Sequence, residues 1–126
     1  MSNAIRIMVE RGKKKRSVAC AFDWPGWDRS GRTEEAALEV LESYRGRYAQ
    51  VAERAGLADA FGRAGTFEVV ERVPGIGMTD FYGVSGVPAT PERDQMSDAE
   101  CERKIALLQA SWTHLDETAA RVSPVP

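Results

Sequence analysis

Seven apolar residues late in the chain, Cys101, Ile105, Leu108, Trp112, Leu115, Ala119 and Val122, recur at alternating steps of four and three. That spacing keeps one side of an α-helix apolar for about six turns, and no strand satisfies it. Ser97-Asp98-Ala99-Glu100 opens the helix as a capping box, with Met96 and Cys101 at the two hydrophobic-staple positions around it. At 1.5 Å per residue the predicted helix approaches ~39 Å. A helix of that length outruns the core of a small domain. Part of its face is therefore left for another domain or a second subunit.

The chain ahead of it alternates. Ile5, Ile7 and Val9 interleave with Arg6, Met8 and Glu10, which predicts a half-buried strand. Val18, Cys20 and Phe22 repeat the pattern. The intervening Arg11-Gly12-Lys13-Lys14-Lys15-Arg16 reads as a hairpin tip. Trp24-Pro25-Gly26-Trp27 ends the second strand, since proline cannot donate to a ladder. Asp28 to Gly31 fits a short third strand or a loop. Thr33 caps a helix with Glu34 and Glu35 in its first turn. Ala37, Leu41, Tyr44, Tyr48, Val51 and Ala55 form its apolar face, and Gly56 is placed to end it. Gly46, inside that helix, reads as a point of close packing. Thr66 to Val73 predicts one more strand, with Phe67, Val69 and Val70 as its bulk. Pro74 to Gln95 is glycine- and proline-rich yet carries Ile76, Met78, Phe81 and Tyr82, so its first half is expected to pack.

Composition narrows the class. The chain has 126 residues, 43% apolar and 29% charged, enough for one globular core without disulfide or metal staples. No apolar run reaches the ~20 residues of a membrane span, and the first ten residues lack the pattern of a secretory signal. Two cysteines, Cys20 and Cys101, read as small buried hydrophobes in a cytoplasmic protein. One histidine, His114, excludes any site needing two imidazoles from this chain. Net charge is -2, which lowers the weight of general nucleic-acid binding. Ser2-Asn3-Ala4 reads as the remnant of a cleaved tag, with the native sequence starting near Ile5.

The stretch Ser17 to Phe22, the Trp24-Pro25-Gly26-Trp27 turn, Gly31 and Thr33-Glu34-Glu35-Ala36 resemble the HicB-like family over roughly residues 5–55. The resemblance implies a β-β-β-α-β arrangement in a bacterial antitoxin whose N-terminal domain holds a toxin. HicB proteins bind DNA through a separate C-terminal domain. No helix-turn-helix or ribbon-helix-helix signature follows Val73, so that role is not carried over. The last helix, through Leu107-Leu108-Gln109-Ala110-Ser111-Trp112, Leu115 and Val122-Ser123-Pro124, is similar to the opening helix of DinB-like four-helix bundles. Those bundles often hold a metal with three histidines. This resemblance implies the N-terminal part of a longer metal-using protein.

The candidate sites follow. Trp24, Trp27, Phe81 and Tyr82 are candidates for a binding surface. Arg11, Lys13, Lys14, Lys15 and Arg16 could contact phosphates, or simply form a solvated turn that blunts a sheet edge. Asp23, Asp28, Glu34 and Glu35 are explained by turns and the helix dipole. Pro74-Gly75-Ile76-Gly77 lacks the spacing of a phosphate loop. No catalytic residue, metal ligand or cofactor is expected.

The expected fold is α+β, a small antiparallel sheet in the order β-β-(β)-α-β with a long C-terminal amphipathic helix. Residues 5–95 form the HicB-like domain. Residues 96–122 form the helix, read also as the start of a downstream helical domain. The expected function is a non-catalytic protein-interaction or regulatory domain, with a protein partner or self-association. The alternatives are a DinB-like fragment and a nucleic-acid module carried by the basic hairpin. No membrane contact is expected.

Overall fold

The computed structural model describes residues 3–14 and 16–122; the side chain of Phe81 falls outside that description. The fold is α+β. Strands β1 (Ile5–Arg11), β2 (Ser17–Cys20), β3 (Asp28–Gly31) and β4 (Phe67–Pro74) form one sheet in the order β3-β2-β1-β4. The first three are an antiparallel meander, with Val9 opposite Ala19 and Val18 opposite Ser30. Asp28 to Gly31, open between strand and loop in the sequence, is one of the sheet's two edge strands. β4 pairs parallel to β1, so the sheet is mixed rather than wholly antiparallel. The chain crosses between β3 and β4 through helices, and that return delivers β4 in the direction of β1.

Those helices are α1 (Glu34–Ser43), α2 (Arg45–Arg54) and α3 (Ala58–Gly62). The sequence predicts one helix over 33–55, but it breaks at Tyr44 (φ -95°, ψ 2°). The Tyr44 ring lies beneath the Arg29 and Arg47 guanidinium groups, 4.1 and 4.8 Å from its centroid. Arg45 turns instead toward the Ala64 and Gly65 carbonyls. Gly46 is exposed, with nothing near the place of its missing Cβ, so it marks no close packing. Its poor helix propensity weakens the chain where α2 begins. The true close approach is Gly31, where a Cβ would stand 2.5 Å from the Ala37 nitrogen. β3 therefore packs directly under α1. Thr33 caps α1 by accepting from the Ala36 amide, and Gly56 (φ +77°) ends α2 as its C′ residue.

One face of the sheet carries the main core. Ile5, Ile7, Val9, Ala19 and Ala21 meet Ala37, Leu41, Tyr48, Ala52, Phe61 and Leu107. Trp24 and Trp27 complete it. Trp27 stacks on Tyr48 (5.6 Å between centroids) and donates from Nε1 to the Leu41 carbonyl at 2.9 Å. The Tyr48 hydroxyl donates to the Pro25 carbonyl, fixing the turn between the two tryptophans.

The other face is covered too. Met8 and Phe22 are buried against Ala89, with Cys20 and Val73 beside them. The cover is the 75–95 segment, which holds a short helix, α4 (Gly77–Phe81), and a 3-10 turn at Thr90–Arg93. β1 is therefore buried on both faces from Ile7 to Glu10, not half-buried as its alternation suggests. A bulge at Val70 shifts the register between Ile7↔Val69 and Met8↔Glu71. It turns Arg72 onto the helical face and Glu71 onto the opposite one.

The chain ends its described part in α5 (Asp98–Arg121), which packs on α2. Ser97 accepts from the Glu100 amide at 3.2 Å, the cap expected from the sequence.

Candidate interaction surface

α5 is positioned by one side only. Leu107 enters the main core, and Ala110 is buried against α2. Arg103 lays its guanidinium 4.3 Å over the Trp24 ring and donates to the Asp23 carbonyl. Further along, Glu117 pairs with Arg54 of α2, which holds the Glu117 carboxyl below its usual range. Arg103, Leu107, Ala110, His114 and Glu117 thus form the docking side, itself spaced by four and three.

The strongly apolar stripe faces away. Ile105 is 50% exposed, Leu108 49%, Trp112 60%, Leu115 64% and Val122 63%. Cys101 and Ala119, in the same stripe, are also exposed. At 100° per residue the stripe and the docking side lie about 150° apart around the helix. Cys101 is thus not the buried hydrophobe expected from its staple position, because its face of α5 turns from the body. Met96, the other staple residue, is 45% exposed. A continuous apolar face of this extent is unusual on the surface of an isolated domain.

The predicted binding residues fall elsewhere. Trp24 and Trp27 are 7% and 1% exposed. They are core residues rather than the surface pair expected from the Pro-Gly turn, because Tyr48 and Phe61 close over them. Tyr82 is 65% exposed, just after α4. The Phe81 side chain lies outside the described residues. Among the described side chains of these four, Tyr82 alone is exposed.

The basic hairpin forms as predicted, closed by the Gly12 amide donating to the Arg16 carbonyl. Arg11, Lys13, Lys14 and Arg16 are exposed, and Lys15 lies outside the described residues. The tip rests on an acid. The Lys14 amide donates to Asp80 Oδ1 of α4, and a Cβ on Gly12 would stand 2.2 Å from that oxygen. Behind the hairpin a cleft of about 690 Å³ opens at the start of α1, with Val9 and Ser17 in its lining. Arg11, Arg32 and Arg72 face Glu34 and Glu35 there. Arg72 donates to Glu34 from Nε and Nη2, at 2.7 and 2.9 Å, and holds that carboxyl below its usual range. Three cations against two anions give this cleft little preference for phosphate.

One feature the sequence hides is Glu10. Its side chain is wholly buried on the second face of the sheet. Its carboxylate accepts from the Thr79 and Ser85 hydroxyls at 3.1 and 2.6 Å and from the Gly86 and Val87 amides at 3.0 and 2.8 Å. All four donors come from the 75–95 segment, so Glu10 fastens that segment to the sheet. Glu71 does the same at the segment's far end, accepting from the Thr90 amide and hydroxyl. Cys20 lies on this face, and burial pushes its thiol up, away from the reactive thiolate. Among the described residues no group of three metal-ligating side chains converges. No described helix is long and apolar enough to cross a membrane.

No protein-family model, curated protein or solved structure matches the chain.

Proposed function

We propose that this chain is a non-catalytic protein-interaction domain, related in kind to the HicB-like domains its first half resembles. It holds its partner on the exposed stripe of α5. The observation that carries this reading is the opposition of the two sides of α5. The helix is anchored by a thin line of contacts centred on Leu107 and Ala110, while its five largest apolar side chains in the stripe face solvent. A three-stranded meander, helices and then a fourth strand follow the order that the resemblance implies, with three helices in place of its one. The test is capture from nuclease-treated extract of the source organism, with wild type and a Leu108→Glu, Trp112→Glu variant as baits. The reading predicts a stoichiometric protein on wild type that the variant loses. Equal recovery on both baits, or none on either, contradicts it.

The same stripe favours a second reading. An opening helix of a bundle also docks by one side and offers the other to following helices, as the DinB-like resemblance implies. A reading frame in the source gene that continues past Pro126 into further amphipathic helices supports this reading. A stop codon there ends it.

A further inference from the structure

We propose that the α5 stripe pairs with the same stripe of a second copy of this chain, the two helices parallel and in register. The inference rests on the interaction reading above and names its partner. In heptad terms Ile105, Trp112 and Ala119 occupy a positions, and Cys101, Leu108, Leu115 and Val122 occupy d positions. The seam is a strict 3.5-residue repeat, the period that keeps one helix facing another along a supercoil. Each body sits opposite its own seam, so two copies meet seam to seam with their bodies outermost.

Area and charge select this occupant. The exposed parts of the seam side chains amount to roughly 500 Å² of apolar surface. A standard interface of about 800 Å² per partner, somewhat over half of it apolar, needs about that much. The seam's flanks then set direction. One edge carries Glu102, Gln109 and Asp116 at e, the other Lys104, Ser111 and Thr118 at g. In a parallel pair each g faces the following e of the second copy, placing Lys104 by Gln109 and Ser111 by Asp116. No like charges meet. In an antiparallel pair the e edges face each other, and Glu102 meets Asp116 of the second copy. Repulsion there disfavours that arrangement.

The two directions leave different signatures in the thiols. Parallel pairing sets Cys101 against Cys101, whereas antiparallel pairing sets Cys101 against residue 119. Cys101 is exposed in the isolated chain, while Cys20 is sequestered against the sheet's second face. A short bis-maleimide applied to the wild-type chain therefore reports on Cys101, with a Cys101→Ser variant as the blank. The proposal predicts a covalent dimer for wild type and for a Cys101→Ser, Ala119→Cys variant. It predicts no mixed dimer when those two chains, distinguished by mass, are combined. Both variants alter exposed positions and leave the core intact. A prominent mixed dimer overturns the parallel register. No covalent dimer in any sample overturns self-pairing, and the interaction reading then stands or falls on the capture experiment alone.

Discussion

Replacing Glu10 by alanine is expected to lower the free energy of unfolding by about 3–5 kcal/mol. The carboxylate lies at zero exposure and accepts from four donors spread over residues 79–87. Alanine leaves all four facing apolar surface, and each stranded donor costs about 1–3 kcal/mol unless it regains water. Where the segment lifts from the sheet to rehydrate them, Met8, Phe22 and Ala89 are exposed. The loss is therefore both global and local. Urea titration should show the lower midpoint, and hydrogen exchange should show fast Gly86 and Val87 amides while α2 stays protected. Glutamine keeps the shape and one accepting oxygen but turns an NH2 toward donors, so Glu10→Gln should fall between. An alanine variant with an unchanged midpoint would show that Glu10 does not hold the segment.

The second large effect belongs to Trp27. Its ring is 1% exposed, stacks on Tyr48 and touches Phe61 and Phe67. Trp27→Ala opens a cavity at the junction of the sheet, α1, α2 and α3, at a cost of about 4 kcal/mol. A domain of this size holds only about 5–15 kcal/mol, so the alanine variant sits near the folding threshold. Trp27→Phe keeps one aromatic ring in the core but gives up the second ring of the indole and the hydrogen bond to the Leu41 carbonyl, costing about 2–3 kcal/mol. The phenylalanine variant should fold, with a modestly lower urea midpoint. If it is as stable as wild type, the bond at the end of α1 contributes nothing.

The local elements were legible because they rest on local rules. Thr33, Ser97 and Gly56 cap helices where capping chemistry places them. Alternation located β1 and β2, the apolar bulk of Phe67, Val69 and Val70 located β4, and the basic hairpin follows from Gly12 between two strands. What stayed hidden depends on contacts distant in sequence. Glu10 reads as the outward residue of an alternating strand, and only residues 69 to 77 positions away make it internal. The Val70 bulge, which aims Arg72 and Glu71 at opposite faces, has no mark in a run of apolar and charged residues. Trp24 and Trp27 flank a turn and so read as surface, yet Phe61, more than thirty residues on, encloses them.

α5 shows the same limit from the other direction. Its apolar stripe was plain, and the inference that part of its face serves another domain or subunit came from helix length. Which part was not plain. Leu107 and Ala110 make a weaker second stripe among Arg103, His114 and Glu117, polar enough to read as solvated. The body uses that stripe because Trp24 and Arg54 meet Arg103 and Glu117 there. The best hydrophobic face is thereby left outside.

The mass of the chain in solution tests this account most directly. Light scattering across a dilution series from micromolar to submillimolar should show the wild-type mass rising from 13.9 kDa toward twice that value. Leu108→Glu, a change on the exposed seam, should stay at 13.9 kDa and unfold at the midpoint that wild type shows when dilute and unpaired, since pairing itself stabilises the folded chain. A wild-type chain that holds 13.9 kDa at every concentration would contradict the pairing of α5 with itself.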